Sequence, residues 1–229
     1  DNSVYGSSNN GFGNNNVIGK VMSGDYSSVD SSHVVGDNNT MEGNSSSAFG
    51  NENTVTGDET SVIGLSNTVS GEGSLALGNY NNTESSMVTI VGGYNAINND
   101  YSDNAVAVGQ NNDLIGNQAV AMGNNNSIEK DASGAIGIEN TVAGGYDSLG
   151  IVGEGITDMG DGVNYNEYIE RGSYAQGNKN DVRGDTTHVY GYYNGVLGNK
   201  ASVMGANNSV SGNGTQVIGN DNTIGYNND

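Results

Sequence analysis

A glycine returns every fourteen residues through most of this chain, and a period that short leaves few folds open. Val34-Val35-Gly36, Ala48-Phe49-Gly50, Val62-Ile63-Gly64, Ala76-Leu77-Gly78 and Ile90-Val91-Gly92 each set an apolar pair before the glycine. The series continues through Gly109, Gly123 and Gly137, pauses around Gly153, and resumes at Gly177, Gly191, Gly205 and Gly219, with Gly6 and Gly19 as looser early copies. Self-similarity at a fixed period marks a repeat architecture, in which each unit buries its apolar side only against its neighbours.

Counting from each glycine, the third residue on is Asn at 39, 53, 67, 81, 95, 112, 126, 140, 180, 194, 208 and 222. The fifth is aliphatic in nearly every copy, as in Met41, Val55, Val69, Ile97 and Leu114, with Thr83 the exception, and a second glycine often follows two later. Each unit therefore reads as strand, Asn-rich turn, strand, Gly-containing turn, with two strands of about five residues and period-2 alternation. Like residues would stack at about 4.8 Å, so that about fifteen turns would span roughly 70 Å. The asparagine ladder has a structural reading: short amides tolerate a left-handed backbone at turns and hydrogen-bond their stacked equivalents.

Composition matters because only 33% of residues are apolar while 38 of the 229 are Gly, which would fit a disordered chain were the apolar residues not so regularly placed. A formal net charge of -20 with six basic side chains argues against nucleic acid or anionic lipid as partner, since neutralising phosphates needs clustered Lys and Arg. The sequence shows neither a signal-peptide pattern nor a long apolar run, so export signal and membrane anchor are expected in segments other than these. Cysteine is absent and leaves the redox compartment open.

The alternation also predicts self-association. In the first strand the two residues before the glycine point to opposite faces and both are apolar, as in Ala48 and Phe49 or Ala76 and Leu77, so both faces ask for burial. In the second strand only Val55 and Val69 are apolar, while Thr54, Thr56, Thr68 and Ser70 alternate outward. A narrow roll has one interior, so the other apolar face of the first strand needs a partner. Closed cyclic symmetry would cover it, and the pattern alone does not separate dimer from trimer.

Ser74-Leu75-Ala76-Leu77-Gly78, Ala105-Val106-Ala107-Val108-Gly109 and Ala119-Val120-Ala121-Met122-Gly123 resemble the repeat of the YadA-like head of trimeric autotransporter adhesins. The likeness covers nearly the whole of 1–229. It implies an all-β fold, a left-handed parallel β-roll that is homotrimeric, on the outside of a cell with an outer membrane. It also implies attachment to host matrix, host cells or other microbes, and anchoring through a coiled-coil stalk and a C-terminal β-barrel that these residues do not include. On this reading Val35, Phe49, Ile63, Leu77, Val91, Val108, Met122, Ile136, His188, Tyr190, Met204 and Ile218 face the trimer interface. The chain departs from the family repeat in its Asn-rich turns and in several stretched repeats, which bear on the ligand rather than the fold.

Contact residues are sought where the repeat breaks. An irregular insertion at about 154–172 contains Asp158, Asp161, Asn164, Tyr165, Asn166, Glu167, Tyr168, Glu170 and Arg171. Exposed Tyr beside Asn and Arg suits protein or glycan contact; the competing reading is an insertion packed on its own surroundings. The same run offers alternating oxygen ligands for calcium without matching the EF-hand spacing. Shorter insertions, of about three residues each, lie at 20–29 and 94–104 and read as surface bulges. Arg171, Lys179, Arg183 and Lys200 gather four of the six basic residues near Tyr192 and Tyr193. The patch would meet an anionic glycan or protein, or else balance acidic side chains on neighbouring turns. The candidate ligand-binding set is thus Tyr165, Glu167, Tyr168, Glu170, Arg171, Lys179, Arg183, Tyr192 and Tyr193. His33 and His188, each three residues before a repeat glycine, share the face of Val35 and Tyr190, where three imidazoles would converge as interface residues or around an ion.

No metal or cofactor is expected. Two distant histidines do not build a nucleophilic triad, so an enzyme is not expected. A polysaccharide-cleaving parallel β-helix would have longer, less regular coils, and a calcium-dependent roll would show nonapeptide repeats. An ice-binding solenoid would need a flat Thr ladder that this sequence lacks.

Overall fold

The structure, a computed structural model, describes residues 1–22, 25–27, 29–98, 103–129, 131–143, 173–184 and 186–225. It is a parallel β-solenoid with no helix among the described residues, and it divides into two units, Asp1–Leu114 and Ile115–Asp229. The insertion at about 154–172 lies outside the described residues.

In the first unit seven long-sheet strands stack in parallel: Asn10–Phe12, His33–Val35, Ser47–Asn51, Ser61–Leu65, Leu75–Asn79, Thr89–Gly93 and Val106–Gln110. A second sheet stacks the short strands Ser3–Val4, Val17–Ile18, Thr40–Met41, Thr54–Val55, Thr68–Val69, Asn82–Thr83, Ala96–Ile97 and Asp113–Leu114. The register is the sequence period itself: Val62 pairs with Ala48 on one side and Ala76 on the other, and Gly64 with Gly50 and Gly78.

The second unit repeats the plan. Its six long strands are Val120–Asn124, Gly134–Ile138, Tyr174–Asn178, His188–Tyr192, Ser202–Ala206 and Gln216–Ile218, and the short strands run from Ser127–Ile128 to Thr223–Ile224. Seven and six make thirteen turns rather than about fifteen. The second strand of each turn is two residues long, not five, because the Asn turn and the Gly turn take most of that side.

Each interior is one side chain deep. Val34, Ala48, Val62, Ala76, Ile90 and Ala107 point inward from the long sheet and meet Met41, Val55, Val69, Ile97 and Leu114 from the short one, all fully buried. Burying a Val, Leu or Ile contributes about 1.5–3 kcal/mol. Thr83 sits among them because its hydroxyl is engaged locally, accepting from the Ser85 amide at 3.1 Å and donating to the Ser85 carbonyl at 3.4 Å.

Polar ladders hold the turns in register. Asn67 donates from Nδ2 to Asn53 Oδ1 at 2.9 Å and to the Gly78 carbonyl at 2.7 Å, while its own Oδ1 accepts from the Asn81 backbone at 3.1 Å and the Asn81 amide at 2.9 Å. The left-handed backbone lies not at this asparagine but one residue earlier, at Ser66, Tyr80 and Tyr94 among others. The ladder residue is therefore Asn for its two-donor, two-acceptor amide, and the conformational half of the sequence argument belongs to its neighbour. A second ladder, not anticipated, runs on hydroxyls four residues before the repeat glycine: Ser46 Oγ donates to the Gly57 carbonyl at 2.9 Å and Thr60 Oγ1 to that of Gly71 at 2.9 Å.

The repeat glycine is a steric necessity. Gly64 has φ +139°, and a Cβ there would lie 1.7 Å from the carbonyl oxygen of Gly78. The same geometry corrects the early copies. It is Gly13, with φ +110° against the Gly36 carbonyl, that precedes Gly36 in the stack, whereas Gly19 follows a short strand and Gly6 lies on that same second side. The spacing from Gly13 to Gly36 is 23, so nine residues more than the repeat are accommodated, not three. Lys20–Met22 and Asp25–Ser27 pair there as an antiparallel hairpin. The sequence misled because both turn types carry glycine and Gly11 stands where an inward aliphatic is usual. Likewise Gly137 pairs directly with Gly177 in the long sheet.

Candidate functional site

The Asn turn places a column of side chains at one corner of each unit. The residue two after the repeat glycine takes the left-handed backbone, at φ 55° for Glu139 and Lys179 and 56° for Tyr193, and its amide bonds to the turn before. Lys179 N donates to the Ile138 carbonyl at 2.8 Å and Tyr193 N to that of Asn178 at 3.1 Å. This stacks Glu139, Lys179, Tyr193, Asn207 and Asp221, one per turn, in the second unit.

The column's chemistry is mixed and continuous. Lys179 Nζ lies 3.3 Å from Glu139 Oε2 and 5.3 Å from the centre of the Tyr193 ring. Tyr192 meets Tyr193 edge-on at 5.6 Å, and both are half exposed. Hydrogen bonding to Tyr193, and then to the Glu139 carboxylate, raises the Lys179 ammonium above its ordinary pKa. Asn207 Nδ2 closes the column on Asp221 Oδ1 at 3.1 Å. Such a surface offers aromatic edges, amide and carboxylate acceptors, and a cation shared with its own turn stack, which suits a polyhydroxylated or peptide ligand.

Arg183 is not part of this column. It lies after the short strand Asp181–Val182, and its Nε donates to Asp181 Oδ1 at 2.9 Å and Oδ2 at 3.1 Å. Asp181 and Arg183 line a shallow groove of about 370 Å³ with Gly195, Leu197, Ser209 and Ser211. Gly195 opens the groove: a Cβ there would meet nothing within 4 Å. Lys179 is thus paired with a carboxylate of the neighbouring turn, whereas Arg183 pairs with one on its own turn. Tyr165, Glu167, Tyr168, Glu170 and Arg171 lie outside the described residues. Among the described residues no group of three or more His, Cys, Asp or Glu is placed to hold a metal ion.

The third surface is the outer face of the long sheets. In the first unit Val35, Phe49, Ile63, Leu77, Val91 and Val108 stand in register on consecutive turns. Phe49 is 42% exposed and Ile63 49%, while Leu77 and Val108 are half-buried. In the second unit Met122, Ile136, Tyr190, Met204 and Ile218 form the equivalent column, interrupted by Gln176, which the apolar pattern did not single out. His188 lies beside it, its ring stacked on Tyr174 at 5.7 Å, and Tyr174 in turn covers Gly134, where a Cβ would come within 2.8 Å of that ring. His33 occupies the same register in the first unit, between Asn10 and Ser47.

Fold and surfaces together define a parallel β-solenoid with one wet sheet and one apolar-faced sheet. Neither protein-family models nor curated protein sequences give a match to this chain.

Proposed function

We propose that the chain is the head of a bacterial cell-surface adhesin akin to the trimeric autotransporters, a homotrimeric left-handed β-roll that attaches its bearer to host matrix, host cells or other microbes. The observation that carries this reading is the outward apolar column of each unit, from Val35 to Val108 and from Met122 to Ile218. Isolated exposed apolar side chains are ordinary, but a column that recurs over consecutive turns, broken only at Gln176 among those described, multiplies its exposure with length. Another copy of the chain carries the same column at the same rise of about 4.8 Å per turn and so covers it in register. Three copies rather than two follows from the likeness of the repeats to the adhesin heads. The place of action is extracellular, on a cell with an outer membrane, with anchoring by other segments.

On this reading the wet corners and the short-strand face are left to meet a surface protein or glycan, with the Lys179 to Asp221 column as the candidate contact. The role is attachment and involves no catalytic step or cofactor. Light scattering on the purified chain tests it. A mass near three times 23.4 kDa, unchanged by a calcium chelator, is expected. A stable monomer overturns the assembly, and unfolding on chelation transfers the chain to calcium-dependent secreted rolls.

A further inference from the structure

In the first unit the corner column holds Tyr80 and Tyr94, at φ +57° each. Bulky residues rarely take this conformation, and the column elsewhere uses Asn38, Glu52, Ser66 and Asn111, so nothing in the turn demands an aromatic. The two rings lie parallel, 4.9 Å between centres and 14° between planes, and remain 45% and 60% exposed.

Ser66, beside the pair in the column, donates from Oγ to Glu52 Oε2 at 2.9 Å, so hydroxyl, amide and carboxylate groups lie near the rings. Ser66 and Asn111 flank it in the column, and Leu65, Asn79, Gly93 and Gln110 are the paired residues at the adjoining strand ends. Gly93 contributes no side chain beside Tyr94. The Lys179 corner of the second unit has an ammonium in its column; the described residues of the Tyr80 column include none. With a net charge of -20 on the chain, an anionic ligand is disfavoured. Stacking covers the inner faces, so the outer face of each ring, toward the Ser66 and Asn111 turns, and the ring edges are left open; a sugar ring matches such a face, packing its C–H groups there while its hydroxyls bond to the neighbouring polar groups.

We infer that Tyr80 and Tyr94 form a docking platform for a neutral saccharide. The inference deepens the attachment reading by naming a ligand class, and it stands on the first unit alone, so it does not need the trimer. The rival account is that the rings stack only to hold two turns together, and the two accounts predict opposite effects of replacing them. Asn takes the left-handed backbone more readily than Tyr, so if the rings serve a ligand, a Tyr80→Asn, Tyr94→Asn double variant melts at the same temperature or higher.

The probes are cellohexaose and chitohexaose, titrated against tyrosine emission, which is read directly because the chain has no Trp. Saturable binding of at least one is expected, weakened tenfold or more in the double variant and unchanged in Glu59→Asn, an exposed left-handed position on the other turn. Light scattering on each variant separates a change of assembly from a change of ligand binding. A fall of several degrees in the double variant's melting temperature overturns the inference in favour of turn stacking. Absence of saturable binding to both sugars, or equal binding by the double variant, overturns it as well.

Discussion

The ladder asparagine uses its full hydrogen-bonding capacity inside the turn stack, and that makes it the most consequential small residue in the chain. Replacing Asn67 with Ala strands the Gly78 carbonyl and the donors of Asn81, at a cost of roughly 1–3 kcal/mol for each buried group left unpaired. Urea unfolding of Asn67→Ala checks this, and a loss under about 1 kcal/mol would show that water re-pairs the stranded groups. Gly64→Ala is expected to be worse, about 4 kcal/mol or more, since its Cβ would meet backbone rather than a side chain that can move. Both positions are legible in the sequence because each recurs with hardly an exception. The hydroxyl ladder is harder to read because Val88, Ala105, Ala119 and Ala201 break it, each buried where Ser46 or Thr60 sits in other turns.

At the scale of the strand, alternation fixes which side faces in, and burial follows it turn by turn. Leu114→Ala, opposite the small Ala107, removes most of the side-chain volume of its turn and is expected to cost about 2–5 kcal/mol, measurable as a shift in the denaturant midpoint. Strand length is less legible: apolar spacing marks inward positions but does not say where a turn takes over, so two-residue strands read as five. Insertions are read least well, as the hairpin after Gly19 shows, because a count from the wrong glycine still lands on a glycine.

The Glu139–Lys179–Tyr193 contact also belongs to this scale. Because its partners raise the Lys179 pKa in the folded state, the stability it contributes is fully present below the unfolded pKa and is lost as pH rises through the folded one. Wild type and Lys179→Met should therefore differ in melting temperature at neutral pH by a small amount that disappears only in strong alkali. A difference that vanishes near neutrality would mean that the pairing does not hold in solution.

For the whole molecule, the proposed attachment role turns on assembly. Ile63→Glu puts a charge on the outward apolar column without touching the interior, since Ile63 is 49% exposed. On the proposed trimer, the variant is expected to keep its strand content by circular dichroism and to run at a smaller mass than the unaltered chain. If the mass is unchanged, that column is not the interface. That the column faces outward is readable from alternation, whereas the corner contacts are only half readable: Lys179 lies over Tyr193 and Tyr192 meets it edge-on, but Arg183 lies on the short-strand side. Sequence proximity does not distinguish the corner of a turn from its flat side, and the Tyr80 and Tyr94 pair, fourteen residues apart, was hidden for the same reason.

The asparagine ladder also governs how the protein ages. Asn194-Gly195 is the dipeptide most prone to deamidation, which begins when the following backbone nitrogen attacks the side-chain carbonyl. Here that nitrogen donates to the Asn208 carbonyl at 2.9 Å, and the Asn194 amide is held by Asn180 and Gly205 at 2.9 Å each. The attack geometry is unreachable without opening the turn, so this Asn-Gly pair, one of three in the chain, is locked by its own repeat. Peptide mapping after mild alkaline storage should find the exposed Asn213-Gly214 converted well before Asn194, giving a protein whose shelf life outside a cell is set by its surface turns alone.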